Sequence, residues 1–302
     1  MYQFKRILVG LNLSDQDKVL ARYAGLATRM AQAEHVIFLN VASIPDIPDK
    51  IGEEFPELLK STHNLSEKQL KETVKEHFFG QPDTTTECEI ANGKPLEVIL
   101  KFIRQHEIDL VIVGKKSEEK ASGMLSEKLA RKAPCSVLII SEGMQPQLTK
   151  ILTTLDFSDH SENAVKIAIA TAKTAALSEI YCAHVYDVPS GYSRTGKSYT
   201  EFAKIMKNNA KKEFDKFIAK FDLKGLTAHP VLLLGDRPSK EIAEYVTKED
   251  FDLLILGARG RSAGAAMFLG SVTERLIRLT ECPLLAYKQK GEGLGILDAI
   301  FS

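Results

Sequence analysis

Short apolar runs alternate with longer amphipathic segments along this chain, most clearly in its second half. Continuous apolar runs of strand length are typical of strands buried on both faces of a parallel sheet. The predicted strands lie near 150–156, 179–186, 228–234, 252–257 and 284–288. The predicted helices lie near 160–176, 199–221, 238–248 and 270–280. This alternation predicts a parallel sheet with helices on both of its faces.

The first half of the chain repeats the second. Residues 5–15 recur as residues 149–159, which sets Asn12 opposite Asp156. The downstream strands and helices match in the same order. A period of about 145 residues is too long for a solenoid repeat and fits the size of an ordinary domain.

The repeat therefore predicts a domain at 1–145, a second at 146–290 and a C-terminal tail at 291–302. The expected fold class is α/β, with two doubly wound five-stranded parallel sheets flanked by helices and packed as an internal pseudo-dimer. The strand order 3-2-1-4-5 is assumed. An apolar tail after a glycine-rich linker is expected to dock, either over the interface between the domains or in a dimer.

Candidate chemistry begins where the fourth strand of the second repeat ends. Gly257 closes that strand, and after a loop Gly270 and Ser271 open a helix. A helix start carries free N–H groups and partial positive charge. Glycines let the backbone approach an anion closely or take up a positive φ, while the hydroxyls of Ser271 and Thr273 add donors. The segment indicates phosphate binding, and the alternative is that its glycines only form turns.

The helix that follows is expected to bury one face, on which Val272, Leu276 and Leu279 lie together. In a doubly wound sheet, ligands bind beyond the carboxyl ends of the strands where the strand order reverses. With the assumed order, this reversal brings Asp156 at the end of the first strand beside Gly257.

These residues resemble the tandem two-domain form of the universal stress protein family, and the resemblance covers essentially the whole chain. Nucleotide-binding members carry G-x2-G-x9-G-(S/T), and the second repeat matches every fixed position. The resemblance implies a site for ATP, ADP or AMP, with Mg²⁺ arriving on the nucleotide. The implied nucleotide-binding residues are Thr154, Leu155, Asp156, Val185, Gly257, Arg259, Gly260, Gly270, Ser271, Val272 and Thr273.

The first repeat departs from this pattern in several places. Gly114 is kept, but Ser117 replaces the second glycine, and Gly123 follows Gly114 after nine residues where the intact copy needs thirteen. Met124 replaces the hydroxyl residue, and Asn12 replaces the acid. We expect no ATP in the same pose there. The first domain either binds another ligand or stabilises the second.

A second phosphate-binding pattern competes with the first. Residues 191–198 match G-x-x-x-x-G-K-[ST] at every position. A true P-loop follows a strand directly, whereas this strand ends near Tyr186, and the only good acid for magnesium, Asp156, precedes the loop. A P-loop nucleotidase using Lys197 and Ser198 is therefore the alternative, and a lesser one is that Arg194 or Lys197 closes over a nucleotide held elsewhere.

The composition of the chain mainly excludes certain classes of partner. Of 302 residues 44% are hydrophobic, which suffices for two cores, and the 40 basic residues cancel the 40 acidic ones. We therefore expect neither a nucleic-acid nor a membrane partner. A strand begins close to Met1, which leaves no room for a signal peptide and favours the cytoplasm. The expected partners are an adenine nucleotide and a protein that the sequence does not identify, and a homodimer is left open.

Cysteines and histidines give no sign of a metal site. The four cysteines, Cys88, Cys135, Cys182 and Cys282, have no C-x-x-C spacing and are expected to be buried reduced thiols. His184 and His229 lie in or beside strands, where core or edge positions are the simplest interpretation. No metal ligands and no catalytic residues are predicted. Slow ATP hydrolysis stays open because a bound triphosphate with magnesium needs only a placed water.

Apolar residues at helical spacing in the second helix of the second domain are expected to form its core face, with a groove for a partner as the alternative. They are Phe202, Ile205, Met206, Phe214, Phe217, Ile218 and Phe221. Together these features predict a nucleotide-responsive stress or signalling module. A scaffold without a nucleotide is the remaining alternative.

Overall fold

A computed structural model of the chain describes residues 4–42, 56–116, 124–258 and 269–289. It divides into a first unit built around Gln3–Pro146 and a second built around Gln147–Tyr287. The predicted tail at 291–302 lies outside the described residues. The packing of the units as an internal pseudo-dimer stays a prediction.

Strands and helices alternate through the first unit. Its elements are β1 Arg6–Leu11, α1 Gln16–Ala31, β2 His35–Ala42, α2 Pro56–His77, β3 Thr85–Asn92, α3 Pro95–Gln105, β4 Leu110–Lys115, α4 Leu125–Lys132 and β5 Ser136–Ser141.

The second unit repeats that order. Its elements are β6 Ile151–Thr154, α5 Asp159–Thr174, β7 Glu179–Tyr186, α6 Tyr199–Ile218, β8 Thr227–Leu234, α7 Pro238–Glu249, β9 Leu253–Gly257, α8 Ser271–Leu279 and β10 Leu284–Tyr287. A short 3-10 helix, Tyr192–Thr195, precedes α6.

Parallel pairing orders the strands β3-β2-β1-β4-β5 in the first unit and β8-β7-β6-β9-β10 in the second. The first and fourth strands of each unit are therefore neighbours. Helices flank these strands, and the predicted α/β class is confirmed. The carboxyl ends of the first, second and fourth strands meet at one edge, where the order reverses.

The central strands are apolar because both of their faces are covered. Ile7, Leu8 and Val9 of β1 have no exposed surface, and neither do Ile151 and Leu152 of β6. A strand that alternated polar and apolar residues would leave polar groups without water at such positions. None of the helices in the described ranges combines the length and the apolar character that a membrane crossing needs.

Two details of the predicted helix faces are wrong. Leu279, expected on the buried face of α8, is 54% exposed, because the helix ends at that residue and Thr280 is already extended. The buried residues of α8 are Thr273, Leu276 and Ile277. Ile205, expected in the core face of α6, is 42% exposed.

Candidate functional site

The predicted site residues follow strands that pair directly with one another. β6 and β9 are neighbours, with Thr153 opposite Ile255, so Asp156 and Gly257 lie beyond or at the ends of adjacent strands. β7 pairs with β6 on the other side, with Ala183 opposite Thr154. This edge therefore collects the carboxyl ends of the strands that the sequence assigned to the site.

Asp156 is held by two serines. Its Oδ1 accepts hydrogen bonds from the Ser158 N–H at 3.0 Å, the Ser158 hydroxyl at 2.5 Å and the Ser161 hydroxyl at 2.5 Å. The Ser161 Oγ also accepts from the Asp156 N–H at 2.9 Å. Ser158 is the N-cap of α5, and Ser161 lies in the first turn of that helix. The carboxylate is therefore fixed at the strand end by the start of the next helix.

A left-handed residue turns the chain between this carboxylate and the helix. Phe157 has φ +61°, a conformation that costs a residue with a side chain about 1 kcal/mol or more. The same turn occurs in the first unit, where Leu13 has φ +60°. In the second unit the Phe157 ring packs 4.4 Å from the His184 ring. The turn shape is thus shared by both units, while its aromatic lining belongs to the second.

His184 connects this turn to β7. Its Nδ1 lies 2.9 Å from the Leu155 carbonyl oxygen, and because a carbonyl oxygen only accepts, Nδ1 carries the proton in this bond. The Leu155 N–H donates to the Ala183 carbonyl at 2.7 Å. Val185, the predicted adenine contact, follows His184 and is half-buried. His184 was not among the residues predicted for the site.

The start of α8 is tied to the end of β9. The Thr273 hydroxyl donates to the Gly257 carbonyl at 3.0 Å, and the Gly270 N–H donates to the Ala258 carbonyl at 2.8 Å. The Thr273 side chain is buried, so in this structure its proton serves to position the helix. Ser271 is exposed and is the first residue of the helix, whose leading N–H groups have no partner within the helix.

The backbone conformation of Gly270 is not one that requires glycine, because its φ is negative. It is the N-cap of α8 with φ −59° and ψ 138°. In the first unit the N-cap of α4 is Met124, with φ −55° and ψ 151°. A residue with a side chain therefore adopts this conformation, so the backbone conformation alone does not require glycine at this position. By helix position Met124 corresponds to Gly270, whereas the sequence alignment set it opposite Ser271.

Two of the predicted residues, Arg259 and Gly260, lie outside the described residues. The others lie at the ends of β6, β7 and β9 or in the first turn of α8. They are Thr154, Leu155, Asp156, Val185, Gly257, Gly270, Ser271, Val272 and Thr273. Their contacts with a nucleotide stay a prediction.

The first unit fills the equivalent corner with its own side chain. Gln16 is buried, and its Nε2 donates to the carbonyls of Lys115 at 3.2 Å and Ile140 at 2.9 Å. A Cβ added to Gly114 would come within 2.5 Å of the Gln16 amide oxygen. Gly114 is thus a glycine that makes room for Gln16.

The two units also place their acidic residue at different positions: Asn12 aligns with Asp156, and Asp17 aligns with Ser161. The Asp156 N–H donates to Ser161, whereas the equivalent Asn12 N–H donates to the Asp17 Oδ1 at 3.2 Å. The first unit therefore carries its carboxylate in the first turn of the helix, where Asp17 is 2% exposed. The second unit carries it at the strand end. The aligned repeats contain this signal at positions 12 and 156 and again at positions 17 and 161, and only the first pair entered the sequence prediction.

Burial raises the pKa of Asp17, although N–H groups including those of Asn12 and Leu13 lower it. The stabilisation from a raised acid pKa is complete below the ordinary value of 3.8 and is lost as the pH rises through the raised pKa. We expect Asp17→Asn to gain stability relative to wild type as the pH rises. Urea unfolding midpoints between about pH 3 and pH 7 measure this, with exposed Asp236→Asn as the control. A difference independent of pH would contradict it.

Residues 191–198 do not adopt the predicted alternative geometry. β7 ends at Tyr186, and a 3-10 helix, Tyr192–Thr195, occupies half of the segment. The Ser198 N–H and hydroxyl each lie 2.8 Å from the Glu201 Oε2, and the Glu201 N–H donates back to the Ser198 Oγ at 3.2 Å. These groups, which a P-loop would turn to phosphate and magnesium, form a capping box instead.

The four cysteines, all within the described residues, form no disulfide. Cys135 and Cys182 are buried, whereas Cys88 and Cys282 are partly exposed. Burial raises the pKa of Cys182 and that of Cys282 to about 12, which keeps both in the unreactive thiol form. Within the described ranges, no group of three or more His, Cys, Asp or Glu side chains is arranged to hold a metal ion.

Comparisons with known proteins agree with the repeated fold. The model of the universal stress protein family matches residues 3–141 and 147–288. A universal stress protein of Methanocaldococcus jannaschii is 32% identical over 46% of this chain and 82% of its own length. The universal stress protein E homolog of Haemophilus influenzae is 23% identical over 95% of this chain and 98% of its own. The crystal structure of a universal stress protein from Archaeoglobus fulgidus, 18% identical, aligns with TM-score 0.61 over 95% of this chain and 99% of that one, which shows a shared fold.

Proposed function

Because the chain belongs to the universal stress protein family, we propose that it is a nucleotide-responsive stress or signalling module with one adenine-nucleotide site, in its second unit. The observation that carries the proposal is the placement of the Asp156 carboxylate. Ser158 and Ser161 hold it at the end of β6, next to the strand that ends in Gly257. An acceptor fixed beside a strand-order reversal suits the hydroxyls of a ribose.

The start of α8 supplies the complementary group. Its leading N–H groups and partial positive charge favour a phosphate, and the exposed Ser271 hydroxyl adds a donor. An acid that accepts from hydroxyls and a helix start that donates to phosphate match a nucleotide, whose ribose carries hydroxyls at C2′ and C3′ and the phosphate at C5′. Mg²⁺ would arrive with the phosphates, and this proposal assigns it no protein ligand.

The contrast between the units supports a single site. Gln16 fills the corner beside Gly114, and Met124 places a buried side chain at the N-cap where the second unit has Gly270. We propose that the first unit, 1–145, stabilises the second, 146–290, without binding ATP in the same pose. Cytoplasmic residence and homodimer formation stay predictions.

Occupancy is the proposed mechanism. A nucleotide that binds one conformation stabilises it by about 2.7 kcal/mol at a concentration one hundred times its Kd. We therefore expect ATP, ADP or AMP to raise the melting temperature by roughly 5 °C. Thermal unfolding with each nucleotide, with and without Mg²⁺, tests this. If none of them stabilises the protein at millimolar concentration, the scaffold alternative replaces this proposal.

Two variants in residues 191–198 distinguish this site from the P-loop alternative. Lys197→Ala is expected to leave nucleotide affinity unchanged. Ser198→Ala is expected to cost about 1 kcal/mol of stability through the lost cap, with no change in affinity. Calorimetric titration of both variants with ATP measures the affinities. A loss of binding in Lys197→Ala would favour the P-loop.

A further inference from the structure

The 3-10 helix and the start of α6 follow β7 along the chain and contain none of the residues assigned to the proposed nucleotide site. Two apolar side chains stand in solvent there, since Tyr199 is 47% exposed and Ile205 is 42% exposed. The Tyr192 ring lies 5.6 Å from the Tyr199 ring and 6.3 Å from the Phe202 ring. These four residues, Tyr192, Tyr199, Phe202 and Ile205, are called the α6 patch below.

Basic residues are frequent in the segment that carries the α6 patch. The segment 191–212 contains six basic side chains and one acidic side chain. That acid, Glu201, is engaged in the cap with Ser198, and Lys211 pairs with Asp215. The other basic side chains are exposed, and within the described part of the chain they form no ion pair. They are Arg194, Lys197, Lys204, Lys207 and Lys212.

We propose that this surface binds the anionic headgroups of a lipid bilayer. Basic side chains beside exposed aromatic and aliphatic groups are the combination that holds a helix at the interface of an anionic membrane. The cancelling charges of the whole chain gave no reason to expect a membrane partner, because composition averages over this local excess. The inference concerns contact with the bilayer surface and does not depend on the nucleotide site.

Lipid fits the surface better than a nucleic acid does. Single-stranded nucleic acid is held by rings that offer open faces in a basic groove. Here the rings of Tyr192 and Tyr199 meet edge to face at 76°, and Tyr192 is only partly exposed. Ile205 adds an exposed aliphatic group, which the acyl region of a bilayer accommodates and a base does not.

Sedimentation of the full-length protein with vesicles tests the charged part of the surface. We expect binding to vesicles of phosphatidylcholine and phosphatidylglycerol in equal parts, and none to phosphatidylcholine alone. Lys204→Glu combined with Lys207→Glu is expected to weaken binding by at least about tenfold, since each basic group near the surface contributes to attraction. Lys101→Glu combined with Lys173→Glu changes the net charge equally at exposed positions elsewhere and is expected to retain binding.

A second pair of variants tests the apolar part without changing charge. Ile205→Ser is expected to weaken vesicle binding by about threefold or more. Leu65→Ser, at a side chain 69% exposed on α2, is the matched control and is expected to bind as wild type does. Equal binding to both vesicle types, equal loss in the two charge variants, or tighter binding to single-stranded RNA than to anionic vesicles would each overturn the proposal.

Discussion

Valine in place of Gly270 is expected to remove adenine nucleotide from the second unit while leaving that unit folded. Phosphate oxygens must come within hydrogen-bonding distance of the first N–H groups of α8, and a branched side chain at the N-cap stands in their path. The loss of about 2.7 kcal/mol of phosphate contacts would weaken binding by about 100-fold. Mass spectrometry of nucleotide released from the purified protein measures the result.

Folding of this variant is expected because the backbone does not require glycine. The φ of −59° at Gly270 is open to any residue, and Met124 adopts nearly the same conformation at the N-cap of α4. The cost of losing glycine as N-cap is about 1 kcal/mol or less. Far-ultraviolet circular dichroism provides the check on folding.

Two further variants make the result specific. Gly270→Ala adds only a methyl group, so an intermediate affinity is expected. Lys197→Ala lies in the capped segment before α6 and should retain nucleotide. If Gly270→Val retains nucleotide and Lys197→Ala loses it, the site belongs to the P-loop segment instead.

The sequence predicted the elements well because their pattern is local. The run near 252–257 became β9 at Leu253–Gly257, and the helix predicted near 238–248 became α7 at Pro238–Glu249. Apolar runs between glycines and a proline at a helix start carry that information within a few residues of chain. The prediction for the buried face of α8 was wrong at Leu279, because the apolar periodicity of the sequence continues to that residue whereas the helix ends there.

The surroundings of Asp156 were not predictable in the same way. The hydrogen bond from the Ser161 hydroxyl to Asp156 depends on the left-handed turn at Phe157. Phenylalanine at that position does not predict a positive φ. His184 reaches the Leu155 carbonyl because of the register between β6 and β7, and that register is set by contacts distant in sequence. Such positions become visible only when the strands are paired.

The two units differ in where they carry a carboxylate: on the first helix in the first unit, and at the end of the first strand in the second. Each unit needs an acceptor for the N–H at the end of its first strand, and the helix supplies it, as Asp17 in one and Ser161 in the other. Where the helix supplies the acid, a second acid at the strand end would place two carboxylates together and raise a pKa. Asn12 in the first unit and Asp156 in the second are consistent with this rule.

Removal of the Asp156 side chain is expected to weaken nucleotide binding and to destabilise the second unit together. Asp156→Ala deletes the acceptor of the Ser158 N–H and of the Ser158 and Ser161 hydroxyls. Part-buried donors left unpaired cost about 1–3 kcal/mol. We expect a loss of roughly 2 kcal/mol in unfolding free energy and a fall in ATP affinity of at least about tenfold.

Asp156→Asn separates the two effects. The amide keeps an oxygen that accepts the bonds from Ser158 and Ser161, so most of the stability should remain. It carries no charge, and a hydrogen bond to a neutral group is about half as strong as one to a charged group, so the affinity should still fall. Urea unfolding and calorimetric titration with ATP on the same preparations give both quantities.

Asn12→Ala is the matched control in the first unit. Asn12 Oδ1 accepts a bond from the exposed Ser14 hydroxyl, and its loss should cost no more than about 0.5 kcal/mol, with ATP affinity unchanged. A fall in affinity in Asn12→Ala equal to that in Asp156→Ala would contradict a single site. Retention of full affinity in Asp156→Asn would show that the carboxylate acts only by holding the turn, because the charge would then contribute nothing to the nucleotide.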